Sequence, residues 1–253
     1  MRGVHVARRR ASRLGLVTLL TLAVIIGMGH PIPARAATTI TVDCAADPSA
    51  LASALASAND GDTLAIQGTC KGTFEIAHSL MLAGNGGATL DGQGAGTVLT
   101  IDAGTTVAVN NLAITGGHTD TANNSGAGGI QTNGTLTLTN STVYGNTATV
   151  PQFRNGVGGI WNQGGSLTLV NSSVRENSAS ATAPFDTAVG GIMNLCCVSR
   201  VTLTNSTVSG NSGSSPSDAF GGILNSAPGS VLTLTNSTVS GNSASAPGGP
   251  TAF

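Results

Sequence analysis

The stretch Leu136-Thr137-Leu138-Thr139-Asn140-Ser141-Thr142-Val143 decides the fold, because near-copies of it recur along the chain. It returns as LTLVNSSV at 167–174, VTLTNSTV at 201–208 and LTLTNSTV at 232–239. The starts at 136, 167, 201 and 232 are spaced by 31, 34 and 31 residues. A glycine pair and an isoleucine precede each copy, at Gly128-Gly129-Ile130, Gly158-Gly159-Ile160, Gly190-Gly191-Ile192 and Gly221-Gly222-Ile223. An asparagine follows three positions after each final valine, at Asn146, Asn177, Asn211 and Asn242. Self-similarity at such a period is the mark of a solenoid, in which one unit cannot bury its own apolar face and must stack on its neighbours.

Alternation along Leu-Thr-Leu-Thr sends the leucines to one face of a strand and the threonines to the other. One unit therefore reads as strand, turn, strand, turn, strand, loop, with Ile130, Leu136, Leu138 and Val143 pointing inward. The glycine pairs are expected at tight corners that need positive φ. Asn140, Asn171, Asn205 and Asn236 fall where the chain must bend, and at a strand spacing of about 4.8 Å they are expected to form an internal hydrogen-bonded ladder. A weaker copy, with Val107, Val109, Asn111 and Ile114 in the places of Leu136, Leu138, Asn140 and Val143, carries the array back by 29 residues. The fold class predicted is an all-β parallel β-helix solenoid of about six coils.

The amino end reads differently. Arg8-Arg9-Arg10 and Arg13 precede an apolar run over 14–28 and then Ala34-Arg35-Ala36, the pattern of a secretory signal peptide over 1–36. The predicted localisation is extracellular, secreted or at the cell surface. No later stretch is apolar enough to span a bilayer, so no membrane span is expected after the leader is removed. Asp47-Pro48-Ser49-Ala50 opens the alanine- and leucine-rich stretch 51–58, a short capping helix whose Leu51, Leu55 and Ala58 share one face. Such a lid suits the open end of a stack, whose terminal core would otherwise be wet. The domain over 37–253 thus divides into an amino-terminal cap at 37–62, irregular coils at 63–115, regular repeats at 116–247 and the start of a further coil at 248–253.

Charge and cysteines bound the partners. Six of the ten basic residues lie in the leader and all eleven acids lie beyond it, so residues 37–253 carry four bases against eleven acids, a formal charge of −7. That balance argues against a nucleic-acid partner, which needs a basic footprint. Cys44 and Cys70 flank the helix and are expected to bond in an oxidising compartment. Cys196 and Cys197 are adjacent, which leaves a vicinal disulfide, a metal site and plain turn residues as open readings.

Gly129-Ile130 followed by Val143-Tyr144-Gly145-Asn146 resembles the GG-[AIL] and F-x-x-N repeat of polymorphic outer membrane proteins, with Val143, Val174, Val208 and Val239 where that repeat has phenylalanine. The wider resemblance is to pectin-lyase-like right-handed parallel β-helices, and it runs from the Leu51 helix to Asn242. It implies a surface-exposed, adhesin-like protein that binds an extracellular glycan or a surface protein without catalysis. The enzymes of that superfamily imply an alternative, a polysaccharide lyase or glycoside hydrolase with acids clustered on neighbouring coils, calcium in some lyases and an Arg or Lys base. No cofactor is expected outside that alternative.

Several residues stand out against the repeat. Arg175-Glu176 occupies positions held elsewhere by Tyr144-Gly145, Ser209-Gly210 and Ser240-Gly241, and Arg154 and Asp186 lie in flanking loops. Catalysis would require Arg175, Glu176 and Asp186 to converge; the plainer reading is a solvated ion pair. His118 and Asp120, in a polar loop, form a weak cation site with one carboxylate. Trp161 falls on the outer face with Gln131, Met193 and Leu224 as counterparts, so it either offers an exposed ring to a sugar or protein or is covered by a loop. Tyr144 and Arg154 are further binding candidates. The variable loops at 147–157, 178–189 and 212–220 are expected to project from one side and form a binding face. Thr137 with Thr139, Thr202 with Thr204 and Thr233 with Thr235 make Thr-x-Thr rows that resemble those of ice-binding solenoids, although threonine is also an ordinary choice for an exposed strand.

Overall fold

Leu136 and Leu138 are fully buried and Thr137 and Thr139 are not, as strand alternation requires. The strand that carries them, Thr135–Thr139, pairs in parallel with Thr106–Asn110 on one side and Ser166–Val170 on the other, so that Val107, Leu136 and Leu167 stack in one column. The same in-register pairing repeats through Arg200–Thr204 and Val231–Thr235. The structure is a computed structural model that describes residues 36–120, 126–151, 154–196, 198–248 and 251–252; the leader expected over 1–36 lies outside them, apart from Ala36. It is an all-β parallel β-solenoid of about five turns, one fewer than the sequence spacing suggests, with one short helix.

Each regular coil visits four parallel sheets. A long sheet of thirteen strands among the described residues takes two strands per coil, for example Thr135–Thr139 and Thr142–Tyr144. A six-stranded sheet carries the isoleucine strands, such as Ile130–Thr132 and Ile160–Asn162. Inward side chains from these two sheets form the main core, which runs unbroken from Val42 to Val208. Fully burying a leucine or isoleucine contributes about 1.5–3 kcal/mol, and stacking lets each coil supply the apolar floor of the next.

The remaining two sheets form a side lobe from the segments expected to be loops. The strand Thr147–Val150 runs outward and Asn155–Val157 returns, and their equivalents Ser178–Ala181 and Thr187–Val189 repeat this on the next coil. Ala148, Val150, Ala179, Ala181 and Ala188 fill the space between the two lobe sheets. Small side chains let the sheets approach, which also accounts for the glycine pairs. A Cβ on Gly158 would lie 2.5 Å from the Ser178 nitrogen, and one on Gly159 2.4 Å from the Gly191 carbonyl oxygen. Neither glycine has positive φ. The pairs are therefore required by close approach of backbone, not by left-handed corners.

The asparagine ladder also differs from expectation. Asn140, Asn171, Asn205 and Asn236 adopt left-handed φ of 48–50° and lie exposed; they bend the backbone, a conformation that asparagine tolerates better than other side chains. The internal ladder is built instead from Asn146, Asn177, Asn211 and Asn242. Each Nδ2 donates to the Oδ1 of the next at 2.9–3.0 Å, and the same oxygen accepts the backbone N–H of the preceding asparagine at 3.0 Å. A second column, Asn162, Asn194 and Asn225, runs through the six-stranded sheet.

At the amino end, helix α1 (Ala50–Ser57) buries Leu51 and Ala54, with Ala58 buried just beyond it, and closes the stack. Cys44 and Cys70 are disulfide-bonded with a Cα–Cα distance of 4.9 Å, which ties the cap to the strand Thr63–Lys71. No helix among the described residues is long and apolar enough to cross a membrane.

Candidate functional site

The coil that begins at Ser166 departs from the other copies on its surface while keeping their core. Its strand Ser173–Arg175 pairs with Thr142–Tyr144 so that Arg175 stands opposite Tyr144. The guanidinium carbon lies 4.6 Å from the tyrosine ring centroid, and Nη1 donates to the Glu176 carboxylate at 2.7 Å. Cation–π contact and ion pair together hold the guanidinium in one place. Glu176 has φ of 56°, at the corner where Gly145, Gly210 and Gly241 have φ of 62–64°. A side chain in that conformation costs about 1–2 kcal/mol, and the other three copies avoid the cost with glycine.

Asp186 is not part of this patch. It is fully buried, and its carboxylate accepts the N–H of Arg154 at 2.7 Å and that of Ala183 at 3.3 Å. Its carbonyl accepts the Ser215 hydroxyl at 2.6 Å. One residue thus ties together loops from three successive coils. Arg175 and Glu176 stand at the surface, whereas Asp186 is fully buried with its carboxylate on backbone N–H groups. Arg154 contributes its backbone to this clamp, also accepting Thr187 N–H at 3.0 Å, and its residue is otherwise exposed.

Next to Asp186 in the chain stands Phe185, which nothing in the repeat singles out. It is 78% exposed, has φ of 71°, and its N–H donates to the Ser217 hydroxyl at 3.0 Å. The available signal was Pro184-Phe185 within a run of small polar residues. Farther along the same coil, Val198 is 74% exposed with φ of 57°, and Cys196 has φ of 89°. Cys196 is disulfide-bonded and so offers no thiolate to a metal; Cys197 lies outside the described residues. Apart from the turn asparagines and Gln93, every left-handed non-glycine residue among those described falls between Glu176 and Val198.

Trp161 does not present an exposed ring. It leaves the outer side of the six-stranded sheet between Gln131 and Met193, but it is only 4% exposed and packs with Val157, Val189 and Met193. The outside of that sheet is the inside of the corner it makes with the lobe, so of the two readings the stripe is covered and forms a second apolar seam. The indole Nε1 has no hydrogen-bond partner among the described residues.

His118 and Asp120 lie on one short exposed strand, and His118 Nδ1 is 2.7 Å from the Thr147 hydroxyl. Among the described residues no three His, Cys, Asp or Glu side chains group so as to hold a metal ion. Compared with known proteins, the chain matches no family model and no curated sequence. What the fold and site define is a class, a parallel β-solenoid with one coil whose surface is built differently from the rest.

Proposed function

We propose that this protein is a secreted or cell-surface, non-catalytic, adhesin-like scaffold, and that the coil from Ser166 to Ser199 binds an extracellular glycan. The concentration of strained, exposed side chains on that coil carries the reading. Left-handed non-glycine residues persist only where something offsets their cost, and they gather at ligand-binding positions. Here they hold up an ordered guanidinium on Tyr144 at one place and a bare phenyl ring on Phe185 at another. An exposed aromatic face and a guanidinium are groups that suit a sugar, which has an apolar ring face and a polar edge. The likeness to polymorphic outer membrane repeats and pectin-lyase-like helices supports the same reading, as does the leader pattern with its bonded cysteines.

The test is retention of the purified protein on a panel of immobilised polysaccharides, with reducing ends and unsaturated products read from the same wells. Retention without product, weakened about tenfold or more by Phe185→Ala or Tyr144→Ala, is the expected result. Product that disappears in Glu176→Ala would establish a lyase or hydrolase instead, and retention only on a protein surface would replace the glycan with a protein partner.

A further inference from the structure

The threonines that alternate with the buried leucines form a second ordered surface, to which Tyr144, Arg175 and Phe185 do not belong. Parallel register sets Thr137, Thr168, Thr202 and Thr233 opposite one another on successive coils, and Thr139, Val170, Thr204 and Thr235 make the adjoining row. Seven of these eight positions are threonine. Neighbours within a row are about 4.8 Å apart, and the rows, two residues apart along each strand, are separated by about 6.7 Å. Ala108 and Asn110 end the array on the amino-terminal side.

Ser141, Ser172 and Ser206, a few residues along the same coils, each donate to a backbone carbonyl. The seven threonine hydroxyls make no such bond among the described residues. Neither row contains a charged side chain; Arg200 stands at the outer end of its strand, two positions before Thr202. Beneath the first three strands of the array, Leu136, Leu138, Leu167, Leu169, Val201 and Leu203 are fully buried, so those threonines are fixed to a packed core; under the fourth strand Leu234 is 46% exposed.

We infer that this threonine face binds ice. A planar set of equivalent hydroxyls has nothing that singles out one soluble molecule; its complement is a surface that itself repeats. The spacing along the rows is close to the shorter repeat of water oxygens in hexagonal ice, and the freely rotating hydroxyls extend the reach between rows. The threonine methyls supply apolar area between the hydroxyls, and the two rows themselves carry no charge, the exposed Arg200 standing at their border.

The experiment is growth of ice grains in frozen sucrose solution containing the purified protein at micromolar concentration. The native protein is expected to arrest grain growth, and Thr202→Lys at the centre of the array to raise the concentration needed by at least about tenfold. Thr168→Val with Thr202→Val, which keeps shape and removes hydroxyls, separates loss of the face from loss of the fold, and melting curves confirm that each variant is folded. Tyr144→Ala should leave ice activity unchanged, and Thr202→Lys should leave glycan retention unchanged, so the two readings fail separately. Ordinary grain growth with native protein, or arrest that survives Thr202→Lys, overturns the inference.

Discussion

Asn177 Oδ1 accepts two hydrogen bonds from Asn146, one from the backbone N–H and one from Nδ2, both at 3.0 Å. The second column lacks such an arrangement at its start: Asn162 donates to Asn194, but its own Oδ1 is buried without a partner among the described residues, opposite Thr132 on the preceding coil. A ladder of this kind links coils by side chains as well as by strands. Its interior members cannot be removed without stranding a buried backbone donor.

Asn177→Ala is therefore expected to destabilise by about 3 kcal/mol or more, since the Asn146 N–H and the Asn211 Oδ1 each lose a partner in a dry core. Asn140→Gly should change stability little, because that asparagine serves only a left-handed bend that glycine adopts freely. Urea unfolding of the two variants side by side checks this, and comparable losses from both would mean that the columns have been assigned to the wrong faces.

Glu176→Gly should stabilise the protein by about 1 kcal/mol, by bringing this corner into line with Gly145, Gly210 and Gly241. The same change removes the carboxylate that orients Arg175. A higher melting temperature with weaker ligand retention would show that the strain is kept for binding. A lower melting temperature would show that the ion pair is structural.

Much of the fold could be read from the period and from the alternation of leucine and threonine, because both follow directly from strand geometry. The choice between two asparagine columns could not, since Asn140 and Asn146 recur with the same spacing and only backbone φ decides which one faces in. The lobe was hidden for a related reason. Its strands are short and mostly of small residues, such as Ser178–Ala181, which bury well between closely approaching sheets but carry little apolar signal, so the sequence left both exposure and cover open for Trp161. Arg175-Glu176 was legible as a break in the repeat. Asp186 was not legible, because a carboxylate satisfied by backbone N–H groups leaves no partner in the sequence.

Asp186→Ala tests the clamp apart from the surface it supports. The amides of Arg154 and Ala183 lose their acceptor, at about 1–3 kcal/mol each if they stay buried. The loops should respond by loosening, with faster hydrogen exchange at those amides and earlier proteolysis at Phe185, while exchange in the Asn146–Asn242 ladder stays slow. Ligand retention should fall with them although no exposed side chain has changed. Retention at the native level would place the binding surface away from Phe185.

Gly158→Ala asks whether the glycine pairs are there for close approach. The added methyl would lie 2.5–2.7 Å from the Ser178 nitrogen, carbonyl oxygen and carbonyl carbon, all backbone atoms that cannot rotate aside. Relief requires the lobe strand to move away from the main core, a strain of about 1–3 kcal/mol by comparison with overpacked interiors. Gly145→Ala meets only the Thr115 hydroxyl at 3.3 Å and has left-handed φ, so its penalty of about 1 kcal/mol comes from conformation. The two variants should also differ in where the damage falls. Gly158→Ala should raise hydrogen exchange across Ser178–Ala181 and Asn155–Val157, whereas Gly145→Ala should affect only its own corner; equal and local effects would return the glycine pairs to the role of simple turns.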